Sequence, residues 1–334
     1  GGVGVAGVVR GRGACGAFRR GAGDFVSKPC QVDAWLPLLD PAVAQRRLKS
    51  GDAYLRSQLE GRYRFEGIVG KSRPMERLFQ LLETVAPTNS TILITGETGT
   101  GKEVVARAIH HNSPRKAHRF VALNSGASPE TVLEAELFGH VRGAFTGAVG
   151  NRLGRLEQAH KGTLFLDEVG TMSVGLQMKL LRVLQEREFE RVGDSHTIKV
   201  DVRVIAATNS DLARLVADGQ FREDLFYRLN VIPVQLPALR ERKEDIPLLV
   251  QHFLAKFESV LTVSQEAMRR LMAYVWPGNV RQLENAVERA VAFTAGRSQI
   301  DVGDLPTEVQ QAQETSVASA VTLPEEGMDL DAFV

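Results

Sequence analysis

The sequence predicts an α/β domain built on a parallel sheet, followed by a small all-helical domain. Short apolar runs between residues 91 and 207 alternate with segments of helical periodicity, as is typical of parallel strands buried on both faces. After Pro237 the strand patterns stop, and apolar residues recur only at helical spacing. A chain of 334 residues is long enough for two folded units with connecting segments.

Each element follows from a local pattern. Ser72 and Pro74 are typical of a helix start, and the apolar positions that follow them share one helical face. The predicted strands are the apolar runs at 91–95, 120–123, 163–166 and 202–207. The apolar sets that predict helices in the second domain are Ile246, Leu249, Phe253 and Phe257, then Met268, Leu271, Met272 and Val275, then Val280, Leu283 and Val287.

Charge and composition indicate an ordinary globular protein. Lys and Arg (41) nearly balance Asp and Glu (40), so bulk charge does not favour binding to nucleic acid or to a membrane. No apolar run approaches the roughly 18 residues that would span a bilayer. Cys15 and Cys30 are the two cysteines, too few for a disulfide framework or a metal site. We therefore expect a cytoplasmic protein that makes no contact with membranes.

The two ends of the chain carry weaker patterns. Residues 1–23 are rich in glycine with interspersed arginine, a composition that predicts a disordered or atypical segment. A helical linker pattern then runs to about Tyr63. We divide the chain into an N-terminal segment at 1–61, the α/β domain at 62–236, the helical domain at 237–305 and a linker at 306–334.

A phosphate-binding loop follows the first predicted strand and precedes a predicted helix. This context makes the pattern Gly-x-x-x-x-Gly-Lys credible, because backbone N–H groups and the helix N-terminus can then surround phosphates. The alternative is a chance glycine-rich turn before a helix. In the general motif Ser or Thr follows the lysine and binds Mg²⁺, whereas this chain has a glutamate there. The residues are Gly96, Glu97, Thr98, Gly99, Thr100, Gly101, Lys102 and Glu103.

Two acidic residues end the third predicted strand. Asp167 and Glu168 directly follow the apolar run at 163–166. Such a pair is often only solvated, but beside a phosphate loop it suits ATP hydrolysis: Asp167 would hold Mg²⁺, and Glu168 would polarise the attacking water. The sequence therefore predicts an enzyme that binds ATP and Mg²⁺ and hydrolyses ATP to ADP and phosphate.

An unusual loop lies between these two motifs. Two glycines flank one aromatic ring and one hydroxyl, as expected of a small flexible loop that displays both. An ordinary glycine loop with its ring packed inward is the alternative. The residues are Gly143, Ala144, Phe145, Thr146, Gly147 and Ala148. This hexapeptide matches that of bacterial enhancer-binding proteins, the AAA+ activators of sigma-54 RNA polymerase, and the chain resembles this family over roughly residues 62–305.

The resemblance implies roles for further residues. Family members also carry glutamate at the position of Glu103. The family fold is an AAA+ P-loop ATPase domain with a small helical lid, in which Ile68 and Val69 would pack on adenine. Asn124 would hold the catalytic Glu168 inactive until the loop at 143–148 engages sigma-54. The remaining implied residues are Thr208 and Asn209 as first sensor and Arg281 as second sensor. Residues 177–185 and the loop near 192–194 match the second pore loop and its flanks.

Two arginines resemble the family's arginine fingers. Arg222 and Arg228 would reach the ATP of a neighbouring subunit in a ring, which we expect to be a hexamer, and stabilise transition-state charge. The alternative is that they form only surface ion pairs with Glu223 and Asp224.

At the ends the resemblance is thinner. Residues 21–29 resemble the last strand of a response-regulator receiver, which indicates a receiver remnant and a two-component system. Family members usually end in a helix-turn-helix, so enhancer DNA would be a partner only through a domain missing from this chain.

The resemblance implies an ATP-hydrolysing activator that remodels the closed promoter complex of sigma-54 RNA polymerase to the open one. One alternative is another AAA+ remodelling ATPase, such as an unfoldase or chelatase subunit. A second alternative is a DNA-binding regulator with a vestigial ATP site.

Overall fold

The computed structural model describes residues 2–6, 22–27, 65, 67–126, 129–294 and 296–312. The chain forms two compact units, Gly1–Arg64 and Phe65–Val334. In the first unit, β1 (Gly2–Ala6) and β2 (Ala22–Ser27) pair in parallel. β1 lies in the glycine-rich segment that was expected to be disordered or atypical, and there valines alternate with small residues. The helical linker predicted up to Tyr63 lies outside the described residues.

The second unit contains a central sheet, flanking helices and a lid. Its strands are, in chain order, β3 Ile92–Thr95, β4 Phe120–Asn124, β5 Gly139–His140, β6 Arg152–Leu153, β7 Thr163–Asp167, β8 Glu188–Glu190, β9 Thr197–Lys199, β10 Arg203–Thr208, β11 Ile232–Gln235, β12 Thr262–Val263 and β13 Gln299–Ile300. Its α-helices are α1 Arg73–Val85, α2 Lys102–His111, α3 Glu130–Phe138, α4 Arg155–Gln158, α5 Val174–Glu186, α6 Leu212–Ala217, α7 Glu223–Leu229, α8 Ile246–Lys256, α9 Gln265–Ala273, α10 Asn279–Phe293 and α11 Thr307–Gln310.

The central sheet is parallel, in the order β11-β3-β10-β7-β4. The four predicted strands are confirmed as β3, β4, β7 and β10. The edge strand β11 was not predicted, because Pro233 interrupts a run of only four residues. Proline cannot donate a ladder hydrogen bond, and an edge position is where a sheet accommodates it.

The order of the sheet brings the sequence motifs together. β10 lies between β3, which leads into the phosphate loop, and β7, which ends at Asp167. Thr208 pairs with Thr95 and Asn124 pairs with Asp167 across neighbouring strands. Because parallel strands end at the same edge, all these residues lie along the carboxyl edge of the sheet.

The helix predicted after Ser72 is confirmed as α1. Its buried residues are Met75, Leu78, Leu82 and Val85. The Ser72 hydroxyl does not cap the helix, because it donates instead to Asp245 Oδ2 at 2.7 Å. The backbone N–H groups of Lys71 and Ser72 also donate to Asp245, at 2.7 and 2.9 Å. This fully buried carboxylate fastens the lid to the start of α1.

The lid is built from α8 to α11 around its own apolar cluster. Met272 and Val275 were predicted on its buried face, but they are 36% and 56% exposed. Trp276 is buried in their place, and its indole N–H donates to the Leu271 carbonyl. The short parallel pair β12–β13 was also unpredicted. Val309 of α11 is buried in the lid cluster, so part of the segment assigned to a linker from 306 belongs to the lid.

No helix in the described part of the chain is long and apolar enough to cross a membrane.

Candidate functional site

The phosphate loop joins β3 to α2 at the carboxyl edge of the sheet. Gly99 and Gly101 have φ of +80° and +101°, a region that disfavours other residues. A Cβ on Gly99 would also lie 2.3 Å from the Gly278 carbonyl oxygen of the lid. The loop ends at the N-terminus of α2, where unpaired N–H groups and the helix dipole favour an anion.

Lys102 lies across this loop. Its side chain is only 7% exposed, and its Nζ donates to the carbonyls of Gly96 at 2.9 Å and Glu97 at 3.3 Å. The same Nζ is 3.9 Å from Glu168 Oε1. The lysine therefore joins the two motifs that the sequence had separated by more than 60 residues.

Asp167 and Glu168 face different partners. Asp167 Oδ1 accepts a hydrogen bond from the Glu168 N–H at 3.0 Å. Burial, and then the charge of Glu168, raise the pKa of Asp167 above its usual range. Glu168 has a left-handed φ of +56°, uncommon for a side chain of this size, and Lys102 is its ion-pair partner. Two close carboxylates, one of them poorly solvated, form an environment that a divalent cation would stabilise.

Asn209 connects the phosphate loop to the acidic pair. Its N–H donates to Glu168 Oε2 at 3.3 Å, and its side-chain amide donates to Thr98 Oγ1 at 3.0 Å. The fully buried Thr208 accepts from the Ser210 N–H at 3.0 Å and so shapes the turn that presents Asn209. Both residues implied as the first sensor thus lie in the site.

Asn124 also lies at this edge, but its hydrogen bonds differ from those implied by the resemblance. Its Nδ2 is 3.5 Å from Asp167 Oδ2, and its Oδ1 accepts from the Gly126 N–H at 2.8 Å. The described geometry therefore joins Asn124 to Asp167 rather than to Glu168.

Glu103 points along the first turns of α2. Its carboxylate pairs with Arg107, one turn later, at 2.6 Å, and about half of its side-chain surface is exposed. Glu103, which stands where the general motif has Ser or Thr, is therefore a negative charge at the phosphate loop that Arg107 neutralises.

Next to the loop, a pocket opens between the sheet domain and the lid. Ile68 and Val69, the residues expected to pack on adenine, line it. Phe253 and Val280 of the lid contribute further apolar surface, and Lys256 and Glu284 form an ion pair at 2.5 Å among the lining residues. An apolar cleft with a few polar groups suits a planar base.

The loop at 143–148 projects from the β5–β6 hairpin. It is closed by a hydrogen bond from the Gly143 N–H to the Ala148 carbonyl at 2.9 Å. Thr146 is exposed, and Phe145 is 40% exposed with one edge against His140. Gly143 and Gly147 have positive φ, and a Cβ added to either would meet open space. The loop therefore displays both its ring and its hydroxyl.

Comparison with known proteins shows which family this chain resembles over the phosphate loop, the acidic pair and the loop at 143–148. Residues 68–235 match the sigma-54 interaction domain, and residues 240–322 match the AAA+ ATPase lid domain. The chain belongs to the sigma-54 interaction domain family. Its fold is accordingly that of an AAA+ ATPase domain with a lid.

Several relatives of this sigma-54 interaction domain are regulators. The Nif-specific regulatory protein of Herbaspirillum seropedicae is 53% identical over 80% of this chain and 49% of its own length. The regulatory protein AtoC of Escherichia coli is 48% identical over 88% of this chain and 65% of its own. The chain thus spans about half to two thirds of these relatives.

A solved structure gives the same architecture. NtrX from Brucella abortus in complex with ATP matches with a TM-score of 0.68 and 42% identity, over 92% of this chain and 71% of that one.

In this sigma-54 interaction domain, the arginine segment is held by a buried glutamine. Gln177 of α5 accepts a hydrogen bond from the Arg222 N–H at 2.8 Å and donates to the carbonyls of Met172 and Gln220. Arg222 pairs with Asp224, as the surface alternative supposed. Arg228 is exposed on α7. The helix α5 follows the acidic pair along the chain. Through Gln177 it therefore positions the start of α7.

The turn between β8 and β9, which the resemblance assigns to a second pore loop, contacts the segment that leads into the loop at 143–148. The turn between β8 and β9 places Val192 against β5, where its carbonyl accepts from the Val141 N–H at 3.1 Å. A Cβ on Gly193 would lie 2.7 Å from Ala144 Cβ.

Several lid residues contact the phosphate loop, and only some of them were expected from the sequence. Arg281 was assigned there, and its N–H does donate to the Gly99 carbonyl at 3.3 Å. Arg240 and Asn279 also reach the loop, both through Glu97. No local pattern marks Arg240, because its partner Glu97 lies more than 140 residues earlier along the chain.

Proposed function

We propose that this chain is an ATP-hydrolysing activator of sigma-54 RNA polymerase. It would use hydrolysis to convert a closed promoter complex into an open one, as a cytoplasmic regulator. One observation carries the proposal: a complete set of phosphate-binding and hydrolytic groups and an exposed Gly-Ala-Phe-Thr-Gly-Ala loop occur in one compact unit.

Within this proposal, Lys102 and the N–H groups of the loop bind the phosphates, and the pocket at Ile68 and Val69 holds adenine. Glu168 orients and polarises the attacking water, with Asn209 fixing its carboxylate. Arg281, exposed beside Gly99, senses the phosphates from the lid.

Mg²⁺ fits the acidic pair as a cofactor. No group of three or more potential ligands from His, Cys, Asp and Glu occurs among the residues that the structure describes. This agrees with the usual magnesium site of nucleotide enzymes, where one or two carboxylates act together with substrate phosphates. Asp167 is the proposed protein ligand, and the cation would neutralise charge on the phosphates.

We propose further that Arg222 and Arg228 act on the nucleotide of a neighbouring subunit in a hexameric ring. Their segment is held rigidly by Gln177, while the guanidinium of Arg222 is bound only by an exposed ion pair that can exchange.

Action across an interface predicts complementation. Arg222→Ala and Lys102→Ala chains should each be inactive alone, and mixing them should restore part of the ATP hydrolysis at interfaces that combine an intact loop with an intact arginine. Phosphate release is measured against total protein concentration, with unmixed variants as controls. Activity that is linear in protein concentration, without rescue on mixing, would contradict action in trans.

Two other functions remain as alternatives: another AAA+ remodelling ATPase, or a DNA-binding regulator with a vestigial ATP site. The exposed loop at 143–148 argues against the first, and the intact contacts of Lys102, Asp167 and Glu168 argue against the second.

Thr146→Ala tests the proposed function. Thr146 is exposed in a loop whose described hydrogen bonds are local, so its loss should leave ATP hydrolysis within a few-fold of wild type. The variant should fail to capture sigma-54 in the presence of an ATP transition-state analogue, as measured by native gel shift. Thr84→Ala, on the exposed face of α1, is the control for a lost hydroxyl elsewhere. Capture that survives Thr146→Ala would contradict the assigned role of the loop.

A further inference from the structure

The lid contacts the phosphate loop through an ion pair. The Arg240 guanidinium donates to both carboxylate oxygens of Glu97, at 2.6 and 2.8 Å. Glu97 is the second residue of the phosphate loop, whereas Arg240 lies in the turn Leu239–Glu241 at the start of the lid. The neighbouring Leu239 is fully buried in the lid cluster, so Arg240 is carried by the lid.

A buried amide reinforces this pair. Asn279, fully buried at the start of α10, donates through Nδ2 to Glu97 Oε2 and to the Thr98 carbonyl, both at 3.1 Å. Its Oδ1 accepts from the Leu239 N–H at 2.8 Å. Both polar atoms of the amide are thus occupied, which fixes α10 against the loop.

Glu97 is a permanent charge at this position. Hydrogen bonds from Arg240 and then from Asn279 hold the pKa of Glu97 at about 2, so its carboxylate is ionised at any working pH. Glu97 and Glu103 belong to the loop, and the pair Asp167 and Glu168 lies beside it, where Lys102 contacts Glu168. Arg107 compensates Glu103, and Arg240 compensates Glu97.

We propose that Arg240 is a positioning residue for the nucleotide, because it neutralises Glu97 and keeps the phosphate loop able to accept a triphosphate. Without Arg240, Glu97 keeps the hydrogen bond from Asn279 but loses its cationic partner, so the loop presents an uncompensated negative charge to an anionic ligand. Arg240 of the lid thereby determines the net charge of the phosphate loop that it contacts. The inference rests on the proposed function, since it concerns the same nucleotide site.

Charge compensation predicts an unusual order among variants. Arg240→Gln should weaken ATP binding about tenfold at low ionic strength, the scale of one unscreened charge near a partly exposed site. The effect should shrink in high salt, because screening weakens interactions of exposed charges. Glu97→Gln/Arg240→Gln should regain most of the lost affinity, since no unpaired charge remains. Arg240→Lys, which keeps the charge but not the two-pronged contact, should lose less affinity than Arg240→Gln.

Calorimetric titration of ATP and ADP into each full chain, at two salt concentrations, tests this order. Arg269→Gln is the matched control, because Arg269 forms an exposed ion pair with Glu266 on lid helix α9. Equal ATP affinity of Arg240→Gln and wild type would overturn the inference. So would a double variant as weak as Arg240→Gln, since a purely mechanical contact predicts that result. Failure of wild type to bind ATP would instead contradict the proposed function and, with it, this inference.

Discussion

Replacing Lys102 by alanine should abolish nucleotide binding, with a loss of affinity of more than about a hundredfold. Lys102 Nζ lies across the phosphate loop, close to Glu168, and is almost buried. Hydrogen bonds to charged groups typically contribute about 1.5–3 kcal/mol each, and the three N–H groups of the Lys102 ammonium can contact more than one phosphate oxygen. Here the remaining carboxylates of Asp167 and Glu168 would also repel an anionic ligand.

The measurement is displacement of a fluorescent ATP analogue, with the thermal melt of each variant showing that the fold is kept. Lys116→Ala is the matched control, since Lys116 is an exposed lysine in the turn after α2. Tight ATP binding by folded Lys102→Ala would exclude the phosphate loop as the nucleotide site.

Glu168→Gln should bind ATP but hydrolyse it slowly, by the ~10²–10⁴-fold that loss of a general base typically costs. The amide keeps the size of the side chain and can still accept from the Asn209 N–H, but it cannot take a proton from water. The substitution also removes the negative charge of Glu168. In the wild type this charge faces Lys102 and raises the pKa of Asp167. We therefore expect ATP affinity to be retained or increased while the turnover number falls.

Separate measurement of affinity and turnover distinguishes this role from a structural one. Glu186→Gln, which removes an exposed helical ion pair with Arg182, serves as the control. Turnover of Glu168→Gln within threefold of wild type would place the base elsewhere.

Much of the sheet could be predicted from sequence because buried parallel strands are continuous apolar runs. The strands β3, β4, β7 and β10 all show this signature, and their carboxyl ends carry the chemistry. The edge strand β11 could not be found in this way, because its stability depends on pairing with β3. In the lid, helical periodicity located the helices but misplaced Met272 and Val275. The helix α9 ends at Ala273, so Val275 lies beyond the regular helical face, and Met272 lies on the exposed side of the last turn.

The site divides in a similar manner. Lys102, Asp167 and Glu168 could be predicted because each belongs to a local motif, and Asn209 because it matches a known family position. Arg240 could not be predicted, because a single arginine after a strand acquires meaning only when the lid folds back on Glu97. The partner of Asn124 likewise depends on side-chain conformation, which no residue pattern specifies.

The most direct test of the central claim is ATP-driven opening of a promoter. Sigma-54 RNA polymerase is bound to promoter DNA in its closed complex, this chain is added, and single-stranded DNA at the start site is detected by permanganate footprinting. We expect an open complex with ATP, none with a non-hydrolysable analogue, and none with the Thr146→Ala variant despite its retained ATP hydrolysis. Opening without hydrolysis, or opening by Thr146→Ala at the wild-type rate, would contradict the proposed function.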